Sequence, residues 1–205
     1  MSKGKLIIIS APSGTGKTSL VAALVTDDDH LCVSVSHTTR PKRPKEEDGI
    51  NYHFTDEKTF LNMLQGGDFL ESAEVYGHRY GTSKKWVDEQ LEKGQDVVLE
   101  IDWQGAAQVR NLYTQSCYIF ILPPSLETLT ERLRHRAQDG EAIIAKRMEE
   151  ARTVLQHVCE ADYLVVNDEF DNALADIRTI LRAQGLTVAA QRINLAELLS
   201  SLIRD

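Results

Sequence analysis

Cysteine is scarce in this sequence, and its three occurrences, Cys32, Cys117 and Cys159, show none of the close spacings that mark a metal-ligand set or a redox pair. An odd number of scattered thiols reads as free, buried and reduced. Cys32 and Cys117 sit in or beside apolar, strand-like runs, where cysteine behaves as a small hydrophobe. Long apolar runs are lacking too. Behind Lys3 and Lys5 the hydrophobic stretch stops at Ile9, too short for a signal-peptide core or a bilayer span, so no export, no membrane and a cytoplasmic location are expected. A basic surplus is also absent. With 23 Lys and Arg against 31 Asp and Glu, the formal net charge of −8 argues against a nucleic-acid backbone as main partner and confines any anion site to a local cluster. No internal repeat or low-complexity stretch appears. What remains, 205 residues that are 42% hydrophobic and 26% charged, is enough for one well-buried domain with small inserted subdomains and too little for two full-sized ones.

Segments rich in Val, Ile or Leu recur at 5–10, 32–36, 96–101, 117–122 and 163–166, and each reads as a strand. Helical patterns lie between most of them, at 17–25, 103–112 and 126–136, the last preceded by Pro123-Pro124 with Ser125 as N-cap. Strands alternating with helices predict an α/β fold, a parallel five-stranded core sheet flanked by helices. Two stretches break the alternation. Between Thr38 and Thr82 short alternating pieces, 52–54 and 69–75, surround a helix over about 56–65 in which Phe60 and Leu64 share a face, which predicts an inserted α+β lobe. The polar stretch 134–143, with Gly140 inside it, reads as a mobile flap. A helix carrying Leu174, Ile177 and Leu181 closes the fold, and an amphipathic segment at 195–203 serves as outer core cover or as an assembly contact, leaving a homo-oligomer open.

The first strand runs directly into Ala11-Pro12-Ser13-Gly14-Thr15-Gly16-Lys17-Thr18 and then into a helix. That is the context a phosphate-binding loop requires. Gly14 and Gly16 allow the backbone to curl so that consecutive N–H groups, aided by the positive end of the helix, hold phosphate oxygens. Lys17 reaches the β and γ phosphates, and the Thr18 hydroxyl completes a Mg²⁺ shell made otherwise of phosphate oxygens and water. The pattern usually begins with glycine and here begins with Ala11, a methyl that takes room but removes no donor. The expected ligand is a nucleoside triphosphate with Mg²⁺.

Such a loop serves ATPases, switch GTPases and kinases alike. Asp102-Trp103-Gln104-Gly105 matches the D-x-x-G of switch GTPases, but no N-K-x-D for reading a bound GTP base occurs in the chain. The stretch Ser34-Val35-Ser36-His37-Thr38-Thr39-Arg40-Pro41-Lys42-Arg43-Pro44, taken with Tyr52, Glu71 and Tyr80-Gly81-Thr82, decides between them. Together with the loop these residues resemble the guanylate kinase family, its bacterial members most. The similarity continues through Ile101 to Gly105, Ile121 to Ser125, the arginines at 132–147 and Val166-Asn167-Asp168, to about Ala183.

The resemblance implies a P-loop nucleoside monophosphate kinase that turns ATP and GMP into ADP and GDP. It divides the chain into a domain over 4–183, with core 4–36 and 83–183, a GMP-binding lobe at 37–82 and a helical lid at about 126–158, followed by a helical extension over 184–205. By the same resemblance Arg40 and Arg43 hold the GMP phosphate, with Tyr52 and Tyr80 adding hydroxyls, while Ser36, Glu71, Thr82 and Asp102 surround the guanine. Side-chain chemistry agrees with that division. Guanidinium groups fork onto phosphate oxygens, and an ionised Glu71 would accept from guanine N1–H and the exocyclic amine where adenine offers a lone pair. Lys17 and the lid arginines, Arg132, Arg136 and Arg147, are expected around the moving phosphoryl group, and Asn167 at the adenine of ATP. Glu100 stands where the family more often has Asp, a candidate for the metal's water shell with one extra methylene, and Ala137 replaces a usual glycine, moving the expected lid hinge toward Gly140. Partners are therefore ATP and GMP, with dGMP open. A phosphopeptide-binding module that has lost catalysis is disfavoured by the intact Gly14, Gly16, Lys17 and Thr18. A P-loop kinase for another phosphorylated acceptor is disfavoured by Glu71 and Asp102.

Overall fold

Four aliphatic residues in a row, Leu6-Ile7-Ile8-Ile9, leave no polar face to show water, and they form the central strand of the molecule. The computed structural model describes residues 3–75, 77–135 and 141–203. In it β1 (Leu6–Ser10) is buried throughout and leads through the glycine loop into α1 (Lys17–Thr26) and β2 (Leu31–Val33). A lobe follows, built from β3 (His37–Thr38), β4 (His53–Phe54), α2 (Glu57–Gly66), β5 (Phe69–Val75) and β6 (His78–Ser83). The chain returns with α3 (Lys84–Glu92), β7 (Asp96–Glu100), α4 (Trp103–Leu112), β8 (Cys117–Leu122), α5 (Leu126–His135), α6 (Glu141–Leu155), β9 (Tyr163–Val166) and α7 (Phe170–Gly185), and ends with α8 (Val188–Asn194) and α9 (Ala196–Ile203).

The core sheet has the order β2-β7-β1-β8-β9 with every neighbouring pair parallel. Side chains alternate across it. Ile7 and Ile9 join Leu20, Val21, Leu24 and Ile177 on the face covered by α1 and α7, and Leu6 and Ile8 join Val97, Leu99, Val87 and Val109 under α3 and α4. The chain leaves β1 toward β2 on one side and later returns to β8 on the other, so the loop after β1 opens where the sheet's connections diverge, the usual ligand crevice of an open α/β sheet.

The lobe is a second sheet, β4-β3-β6-β5, in which β3 and β4 run parallel and the other pairs antiparallel. Its helix begins at Asp56, whose carboxylate accepts the Thr59 N–H, and stops at Gly67 in the left-handed region. Phe60, only 1% exposed, stacks on Phe69 with centroids 4.6 Å apart, whereas Leu64 is 38% exposed, so one residue of the expected apolar pair anchors the helix.

Several boundaries differ from expectation. The second core strand ends at Val33. Strands β3 and β6 and helix α3 carry too few aliphatics in a clean period to stand out. Arg134 and His135 close α5 and Glu141 to Ile143 open α6, so the flanks of the expected flap are helical; its centre, 136–140, lies outside the described residues. Ser125 caps α5 as expected, its hydroxyl accepting the Thr128 N–H at 3.1 Å. All three thiols are unpaired, but Cys117 is buried, Cys32 half-buried and Cys159 exposed, which corrects the expectation of burial for Cys159. Among the described residues no helix is long and apolar enough to cross a membrane.

Candidate active site

The loop between β1 and α1 takes its shape from two glycines at φ 92° and 97°, Gly14 and Gly16, a region where a side chain would strain the backbone. Inside it the Thr15 hydroxyl and N–H both donate to the Pro12 carbonyl, at 2.8 and 3.3 Å. The β1–β7 ladder pairs Ile9 with Glu100 and so delivers that carboxylate to the loop's flank. There Glu100 Oε2 accepts from the Thr18 hydroxyl at 3.0 Å and lies 3.6 Å from Lys17 Nζ. Cation, hydroxyl and carboxylate thus share one small volume.

Across the cleft, the β5–β6 ladder pairs Glu71 with Thr82. The Thr82 hydroxyl donates to Glu71 Oε1 at 2.6 Å, and the acid is 4% exposed. Burial pushes its carboxyl up to about 7, opposed by the Thr82 hydrogen bond and reinforced by the charge of Asp102. An acid expected to be ionised outright therefore titrates near neutrality. The charge of Lys17 also acts on Glu71, pulling its carboxyl down, and that of Glu100 adds to the rise of the Tyr52 phenol.

Asp102 caps α4. Its Oδ1 accepts the Gly105 N–H at 2.9 Å and its Oδ2 the Gln104 amide at 3.1 Å. Gly105 has a part that motif spacing did not disclose, because a Cβ there would lie 2.4 Å from Glu71 Oε2. The bare backbone at the start of α4 is what admits the lobe's buried acid. Next to Asp102, the Trp103 ring stacks on His157 at 3.5 Å and 7°.

The basic run is organised by the acid that follows it. Glu46 Oε1 accepts from Arg40 Nη2 at 2.7 Å and its Oε2 from the Arg43 N–H at 2.8 Å. The first of three acids, Glu46-Glu47-Asp48, directly after Arg40 to Lys45 was the signal that sequence reasoning passed over. Arg40 also lies over the Tyr52 ring, 5.2 Å from its centroid, and Tyr52 meets Tyr80 at 5.9 Å. Burial first of all raises the Tyr52 phenol, keeping it a hydrogen-bond donor. Arg43 is exposed on the loop, and the Ser36 carbonyl accepts the His53 N–H at 2.9 Å, a backbone bond within the lobe.

On the lid side, Arg132 Nη1 donates to the Asn167 carbonyl at 2.9 Å and Nη2 to that of Asp168 at 3.4 Å. Arg147 is half-buried on α6, and Arg136 lies outside the described residues. Asn167 is buried with its carboxamide donating to the Thr15 carbonyl at 2.6 Å.

The family model described as guanylate kinase matches residues 3–184. The guanylate kinase of Methylobacillus flagellatus is 53% identical to this chain, the alignment covering 98% of this chain and 100% of that protein. That of Vibrio cholerae is 49% identical over 100% of both. Among solved structures, the crystal structure of guanylate kinase from Anaplasma phagocytophilum matches with a TM-score of 0.81 at 32% identity, covering 100% of this chain and 98% of that one.

Proposed function

The chain belongs to the guanylate kinase family, and from that premise we propose how its residues divide the reaction between them. It is an ATP:GMP phosphotransferase, moving the γ-phosphoryl group of ATP onto GMP to give ADP and GDP. The phosphate loop, residues 11–18, holds the donor. Arg40, Arg43, Tyr52 and Tyr80 hold the GMP phosphate, and Ser36, Glu71, Thr82 and Asp102 line the guanine. The core (4–36 and 83–183), the lobe (37–82), the lid (126–158) and the tail (184–205) are the corresponding units.

The observation that carries this reading is that β7 brings Glu100 to Lys17 and Thr18 while the helix directly after it, at Gly105, meets the lobe's buried Glu71. A donor-phosphate cation at the end of that strand and a base-reading acid at the start of the next helix belong to one cleft. The acceptor needs no general base, because a phosphate monoester with its second pKa near 6 is largely a dianion at neutral pH. The protein's work is positioning and charge neutralisation: Lys17 with Arg132, Arg136 and Arg147 gathers around the transferring group.

The family works with Mg²⁺ and ATP. The residues present fit that ion, since the Thr18 hydroxyl and Glu100 carboxylate are hard oxygen donors 3.0 Å apart beside the loop. They would hold it together with phosphate oxygens and water. When bound, Mg²⁺ supplies neutralisation of the phosphate charge.

A coupled assay of ADP release against a panel of GMP, dGMP, AMP, CMP and UMP tests the reading. GMP is expected to support turnover far above AMP and the pyrimidine nucleotides. Equal use of AMP, or no transfer to GMP, refutes it.

A further inference from the structure

We propose that Asn167 is a positioning residue of the triphosphate loop, with Arg132 holding it in place. The inference rests on the donor and acceptor assignment above and concerns how the donor side is kept in shape.

The β8–β9 ladder extends one step past β9, where the Asn167 N–H donates to the Leu122 carbonyl at 2.8 Å. That hydrogen bond fixes the Asn167 backbone at the carboxyl edge of the sheet. From there the carboxamide donates to the Thr15 carbonyl at 2.6 Å, and the residue is only 5% exposed. The amide N–H is thus turned onto the protein's own backbone, apart from the amide oxygen, which accepts.

The direction of that hydrogen bond matters. In a trans peptide the C=O and the following N–H point opposite ways. Pinning the Thr15 carbonyl toward Asn167 therefore turns the Gly16 N–H to the other side, where a phosphate oxygen is cradled. Packing enforces the arrangement. A Cβ at residue 16 would lie 2.5 Å from Asn167 Nδ2, and one at residue 14 would lie 2.9 Å from Leu133 Cδ2 of α5. Both glycines are pressed from outside the cradle, by Asn167 and by α5. Arg132, also on α5, binds the Asn167 and Asp168 carbonyls at 2.9 and 3.4 Å and so ties the same helix to the brace.

Two substitutions test this in the full-length enzyme. Asn167→Ala removes the donor, and Asn167→Asp sets a carboxylate against the Thr15 carbonyl. Inorganic tripolyphosphate, which has no base, is titrated by calorimetry, and phosphoryl transfer to GMP is measured with ATP and with ITP as donors. A lost buried hydrogen bond that leaves the Thr15 carbonyl unpaired predicts about tenfold weaker tripolyphosphate binding for Asn167→Ala, more for Asn167→Asp. It also predicts a fall in kcat/KM for ITP as well as for ATP. GMP affinity should stay essentially unchanged, which a general loss of folding would not allow. The proposal is overturned if tripolyphosphate binds as in the unaltered enzyme, or if ATP falls toward ITP while ITP holds. Absence of transfer to GMP by the unaltered enzyme would instead overturn the assignment on which it rests.

Discussion

Lowering the pH from 8 to 6 should weaken GMP binding about tenfold through Glu71 alone, given a carboxyl that titrates near 7. Guanine presents two donors, and only the ionised acid can accept both. At pH 8 the acid is mostly ionised and ready. At pH 6 about nine molecules in ten must first lose a proton. The same group acts on stability with the opposite preference. A carboxyl moved from its ordinary 4.5 to about 7 stores about 3 kcal/mol between its two protonation states. Burial favours the neutral form, so this contribution to folding is fully present below pH 4.5 and is lost as pH rises through about 7. Between pH 6 and 8 it amounts to about 1 kcal/mol. Calorimetric titration with GMP and urea unfolding, each at both pH values, measure the two effects. The phosphate of GMP also titrates near pH 6, and Glu71→Gln provides the control because it keeps the shape and the phosphate's own pH dependence while losing the acid. The difference in pH slope between the unaltered enzyme and Glu71→Gln is thus the quantity of interest. Parallel slopes would refute the assignment of a neutral-pH titration to this residue.

Three further outcomes follow from the geometry. Lys17→Ala should lower kcat by about 10²–10³-fold, the scale of losing one preorganised charge at a transition state, with GMP affinity nearly intact by direct titration; a comparable loss of GMP binding contradicts the division of sites. Gly105→Ala places a methyl 2.4 Å from Glu71 Oε2 and should cut the preference for GMP over AMP about tenfold in the coupled assay, an unchanged ratio counting against Gly105 as the residue that admits the acid. Phe60→Ala, which empties the stack on Phe69 inside the lobe, should destabilise the protein by about 3–5 kcal/mol in urea unfolding, and a loss below about 1 kcal/mol would show that the lobe closes up around the gap.

The chain order of the core strands and the loop after the first of them were legible because both are local. An aliphatic run with no polar face, followed by Gly14, Gly16 and Lys17, admits few conformations. The strands of the lobe were harder to see. His37-Thr38 and the polar stretch from His78 to Ser83 become strands only by pairing with each other and with β4 and β5, so no periodicity in either piece announces them. Helix α3 was missed for a related reason, since only Val87 and Leu91 of its nine residues are buried.

The site divides in the same way. Sequence by itself determined that this protein has a glycine loop ending in Lys17 and Thr18 and a separate cluster of arginines and tyrosines, because backbone freedom at glycine and charge on a side chain are properties of the residues themselves. Only the tertiary structure decided that Glu71 is a buried acid bonded to Thr82, that Gly105 makes room for it, and that the Asn167 carboxamide meets the Thr15 carbonyl. Those facts depend on which surfaces meet when residues far apart in the chain are packed together, and on the water that packing drives out from between them.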